Sequence, residues 1–165
     1  MSKNKDQKRK AQLAARVKNE SFRFQVEHLL KQKGVDITGM EQDFAGEVDA
    51  ICQNGLAEAM LDLAKIIEDV RNELGVEQEA GKCSLNGTLV PFILGITKVQ
   101  PDATTYDPLI KTANMPLQVT LAFDNEVRNR VVDLVKSHYD SFTTRLGQPI
   151  LKLQNMVIEF KRVLL

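Results

Sequence analysis

Cysteine, histidine, aromatic residues and long apolar runs are all scarce in this 165-residue chain. Two cysteines, Cys52 and Cys83, cannot make a disulfide framework. The N-terminus is charged and no apolar run follows it, so nothing in the sequence points to secretion. No stretch approaches the roughly 18 consecutive apolar residues of a membrane span. The expectation is a soluble chain in a reducing, cytoplasmic setting, without membrane contact. Tryptophan is missing altogether, which weighs against a single-strand binder built on base stacking. His28 and His138 stand alone, with no ligand spacing to either cysteine, so neither a metal nor another cofactor is expected. Ser84 has no base near it in the sequence, and a nucleophilic triad cannot be argued.

What the chain does have is charge, unevenly spread. The formal net charge is +0, yet residues 1–33 carry ten Lys/Arg against three Asp/Glu, residues 34–79 two against twelve, and residues 80–165 ten against seven, giving +7, −10 and +3. A basic helical arm, residues 1–33, thus precedes an acidic block. Lys3, Lys5, Lys8, Arg9, Lys10, Arg16 and Lys18 make the arm a candidate for binding nucleic acid. An anionic protein, the chain's own acidic helices, or solvent alone would satisfy the same charges.

Apolar spacing outlines the elements. Leu13, Val17, Val26, Leu29 and Leu30 lie among charged positions in a helix whose first turns fray, whose period Phe22 and Phe24 interrupt, and which stops at Gly34. From Met40 to Leu74, apolar residues recur at three- and four-residue steps. Two packed helices broken at Asn54-Gly55 and capped by Gly75 fit that pattern, with Glu58, Asp62, Glu68, Asp69 and Glu73 facing outward.

The texture then changes to a polar turn followed by the apolar run Leu89 to Ile96. Gly81-Lys82 invites a phosphate-loop reading. A Walker loop, however, needs four residues between its glycines and a Ser or Thr after the Lys, and "GVEQEAGKCS" has five and a Cys. What remains is a turn whose Lys82, Ser84, Asn86 and Thr88 could donate to a phosphate at a helix start, or simply cap the helix. Further on, "PLQVTLAF" alternates like a half-buried strand, with Leu117, Val119, Leu121 and Phe123 inward and Gln118, Thr120 and Ala122 on the other face.

Taken in order, "EVDAICQNGLAEAMLDLAKIIEDVRNELGV", "GKCSLNGTLVPFILGITKVQP", "YDPLI", the strand and "FDNEVRNRVVDLVKSHYD" resemble the palm region of C-family bacterial replicative polymerases, typified by the polymerase III alpha subunit. The resemblance runs from about Met40 to Asp140, and beyond it Gly147 and Lys152 echo the family's next helix. It implies an α+β fold, mostly helical, with N-terminal helices and a small palm-like, nucleotidyltransferase-type sheet over residues 34–165. In the family, alternate strand positions are aspartates that hold two divalent cations. Gln118, Thr120 and Ala122 stand at those positions here, while Asp124 and Glu126 belong to the start of the next helix. Of the family's triphosphate turn, Gly81, Ser84 and Gly87 are kept, Lys82 stands for its arginine, Thr88 for its last serine, and Cys83 replaces a glycine, narrowing the backbone freedom. The resemblance therefore implies a non-catalytic binding or scaffold protein, of the kind a phage or mobile element would encode. Its partners would be DNA, through the arm, or replisome proteins. A virion-type assembly protein that associates with itself, and a subunit of a split polymerase, are the other readings. "QVTLAF" also looks like a sliding-clamp-binding peptide, which would have to be accessible.

Overall fold

A computed structural model describes residues 2–108 and 115–163 of the chain. The order is α1 (Ser2–Gln32), α2 (Glu41–Gln53), α3 (Ala57–Leu74), a 3-10 turn (Ala80–Lys82), α4 (Leu89–Ile93), β1 (Leu117–Asp124), α5 (Arg128–Lys136), β2 (Phe142–Arg145), β3 (Gln148–Leu153) and β4 (Met156–Val163). This is the expected α+β fold with N-terminal helices and a small sheet.

Alanine, lysine, arginine, glutamine and leucine dominate the first half of α1, and all are good helix formers. The helix is continuous from Ser2, so its first turns are formed rather than frayed. Phe22 and Phe24 do not interrupt it. Two residues apart on a helix means nearly opposite faces, and Phe22 is fully buried with Val26 while Phe24 lies in solvent. Gly34, at φ +63°, takes the left-handed conformation that ends the helix.

The helix pair breaks where expected. Gly55 and Gly75 both sit at φ +65°, and the Gly75 N–H donates to Arg71 O at 3.0 Å to cap α3. Phe44, Val48 and Ile51 of α2 and Met60, Leu63, Ile67 and Val70 of α3 fill the core against Phe22 and Val26. One member of the buried row of α2 is a carboxylate, Glu47.

Strand order is β1-β4-β3-β2, with β1 parallel to β4 and the other two pairings antiparallel. Period-two alternation sends Leu117, Val119, Leu121 and Phe123 of β1, with Met156, Ile158 and Phe160 of β4, into the core, where Val131, Val132 and Val135 of α5 join them. Two expectations need correction. Gly147 and Lys152 lie on no helix: Leu146 and Gly147, at φ +51° and +79°, turn a hairpin, and Lys152 is in β3. The cause is legible in "ILKL" and "MVIEFKRV", which alternate every second residue. Asp124 closes β1 rather than opening the next helix, which starts at Arg128. Of the "YDPLI" segment, Leu109 and Ile110 lie outside the described residues.

Candidate functional site

The second face of β1 is built as its sequence indicated. Gln118 is exposed, Thr120 half-buried and Ala122 buried at 4% exposure. In register beside them on β4 stand Val157, Glu159 and Lys161, and beyond these Ile150 and Lys152 of β3. Ala122, Val157 and Ile150 are all buried yet lie outside the main core cluster, interspersed on this face with Gln118, Lys152, Glu159 and Lys161. The clamp-like "QVTLAF" is not accessible as a peptide, because Val119, Leu121 and Phe123 are buried.

The edge of β1 that β4 does not use is covered by the turn. Glu79 N–H donates to Ala122 O at 2.8 Å, and Ser84 N–H donates to Thr120 O at 3.3 Å. In return Thr120 N–H donates to Ser84 Oγ at 2.8 Å. Three backbone groups that a free edge would leave to water are thus satisfied, and the Glu79–Ser84 turn is held against β1. Lys82 stands with Thr120, Ala122, Lys161, Arg162 and Val163 around a cavity of about 370 Å³. Gly81 and Gly87 line a different hollow, of about 460 Å³, with Val99, Pro101, Thr105 and Asp107. Gly87, at φ +88°, lets the chain pass so close to Thr105 that a Cβ would lie 3.3 Å from its carbonyl oxygen. Thr88 is fully buried and its Oγ1 donates to Leu85 O at 2.6 Å.

The donors at the start of α4 already have acceptors. Glu47 Oε2 accepts from Leu89 N–H at 3.0 Å, and its Oε1 accepts from Val90 N–H at 2.6 Å. Tyr106 Oη donates to the same carboxylate at 2.9 Å. Burial pushes the Glu47 carboxyl above its ordinary value, outweighing the two N–H groups and the Tyr106 hydroxyl that pull it down. Burial likewise raises the Tyr106 phenol, reinforced by the Glu47 charge. At the other end of α4, Lys33 Nζ donates to Ile93 O at 2.6 Å. Sequence reasoning missed Glu47. Its only signal is that it falls three residues after Phe44 and four before Ile51, on the buried side of α2.

The arm is a different kind of surface. Residues 3–18 of α1 are exposed throughout, whereas Phe22 and Val26 belong to the core, so the N-terminal half of the helix stands off the body. Lys18 Nζ reaches Glu58 Oε2 at 3.0 Å, and Arg16 Nε reaches Glu20 Oε1 at 3.3 Å. Nearer the body, Arg23 Nη2 meets Asp49 Oδ1 at 2.6 Å. Among the described residues, Lys3, Lys5, Lys8, Arg9 and Lys10 have no such partner.

Among the described residues no group of three His, Cys, Asp or Glu could hold a metal ion, and no helix is long and apolar enough to cross a membrane. No protein-family profile and no curated protein matches the chain.

Proposed function

We propose that this chain is a non-catalytic, cytoplasmic relative of the C-family polymerase palm that binds nucleic acid through its basic arm. The observation that carries the reading is the exposed N-terminal half of α1, with five cations that have no acidic partner among the described residues. Cations on a rod-like, exposed helix can follow a phosphate backbone, and the gain is release of counterions, with little sequence preference. The strand supports the non-catalytic half of the reading. Its second face carries an amide, a hydroxyl and a buried methyl at Gln118, Thr120 and Ala122, where two-metal chemistry needs paired carboxylates.

A low-salt mobility-shift titration of the full chain on duplex DNA tests the binding. Retention should fall with a log–log salt slope of roughly −4 to −5 if all five cations contact phosphates. Absence of any salt-sensitive shift would overturn it. Primer extension with Mg²⁺ and nucleotides should give no product, and template-dependent incorporation by the chain alone would remove the non-catalytic reading.

A further inference from the structure

The side of α1 opposite Phe22 and Val26 carries an apolar stripe of its own, whose Val17 also borders a hollow against Ala57 and Leu61 of α3. Leu13, Val17 and Phe24 are 61%, 56% and 70% exposed, and at about 3.6 residues per turn they stack along one line opposite Phe22 and Val26. The Phe24 ring stacks on that of His28, with centroids 6.2 Å apart. The same steps of three and four continue through Asp6 and Lys10 on one side and through Glu27 and Lys31 on the other, with Glu20 in the middle. All of these side chains are exposed. That is the spacing of a coiled-coil seam.

We propose that this face of α1 is a dimer interface, occupied by the same face of a second copy of this chain running antiparallel. The occupant is identified by charge. In the register that sets Leu13 against the partner's Phe24, Lys10 meets the partner's Glu27 and Asp6 meets the partner's Lys31. Val17 meets the partner's Glu20 near the two-fold axis. Every contact occurs twice, as a two-fold interface requires. A parallel pair would set Lys10 on Lys10 and Glu27 on Glu27, so like charges exclude that orientation. The lysine stems can lie along the Leu13 and Phe24 side chains with their ammonium groups in water. Lys5 and Lys8 point away from the seam, whereas Lys3 and Lys10 share its spacing, so the dimer does not depend on the nucleic-acid reading and leaves Lys5 and Lys8 accessible.

Sedimentation equilibrium of the full chain without nucleic acid tests this, with circular dichroism to verify that each variant keeps its helix. Lys10→Glu and Glu27→Lys each turn two attractive crossings into two repulsive ones and should weaken self-association roughly tenfold. Mixed together, K10E and E27K restore opposite charges at both crossings and should associate as a heterodimer. The double variant K10E/E27K should return to wild-type affinity. A chain that stays monomeric up to high micromolar concentration, a dimer indifferent to both swaps, or weakening that neither the mixture nor the double variant rescues would each overturn the proposal.

Discussion

Thr120 and Leu121 are neighbours on β1 whose side chains live in different media. Leu121 is fully buried, while Thr120 is half-exposed beside the cavity that Lys82 and Lys161 line. A carboxylate at position 121 would be buried without a partner, and Leu121→Asp should cost about 4 kcal/mol or prevent folding. Thr120→Asp keeps its charge near water and lysine, though Glu159 stands in register beside it, and should cost no more than about 1 kcal/mol. Urea titrations of the two variants decide the matter, and similar losses from both would refute the assignment of faces. Strand alternation made this legible from the sequence. The burial of Ala122 was not legible, because its neighbours are Lys161 of β4, in register beside it, and the turn whose Glu79 N–H bonds its carbonyl, both distant in the chain.

Five residues are too few to hold a helix unaided, since nucleation costs more than one turn returns. α4 persists because each end meets a side-chain partner: the Glu47 carboxyl oxygens accept from its N-terminal N–H groups and the Lys33 ammonium donates to its C-terminal carbonyl. In Glu47→Gln the amide offers one acceptor where the carboxylate offered two, leaving Leu89 or Val90 N–H unpaired, at a cost of about 1–3 kcal/mol. The pH dependence has a definite sign. A carboxyl whose folded value is raised gives stability that is full below its unfolded value and declines as pH rises through the folded one. The gap in melting temperature between wild type and Glu47→Gln should therefore narrow from the ordinary carboxylate range towards neutrality. A gap that widens over that range would show that the ionised form is the one the fold prefers. The stops of the first three helices could be read from apolar spacing, because Gly34, Gly55 and Gly75 mark them, whereas β2, β3 and β4 went unread. Glu47 could not, since a carboxylate in an acidic helix reads as solvent-facing until its partners, more than forty residues away, are placed.

At the scale of the molecule, the uneven charge is settled partly within the chain. Lys18 pairs with Glu58 and Arg23 with Asp49, so the basic helix leans on the acidic pair with its middle and leaves its N-terminal turns unneutralised. Both ion pairs are exposed, and each contributes well under about 1 kcal/mol. Deleting residues 2–18 removes no core side chain. Its melting transition should stay within about 1 kcal/mol of the full chain's, while salt-sensitive DNA retention disappears. A deletion that unfolds the body would mean that the arm holds the fold rather than serving a partner. The sequence disclosed a basic helix ending at Gly34, but not that its first turns are fully formed nor that its buried face begins only at Phe22, because propensity says how well a segment coils and not where its inner face begins.

The parallel pairing of β1 with β4 also sets an order of events during folding. Leu117 lies beside Met156, Val119 beside Ile158 and Leu121 beside Phe160, so a strand made early can be completed only by one made much later. Local contacts within the helix pair form without waiting, whereas closing so long a loop is slow. During synthesis β1 therefore emerges with a greasy face and one unmet edge, and the Glu79–Ser84 turn, already translated, is the segment at hand to shield the other.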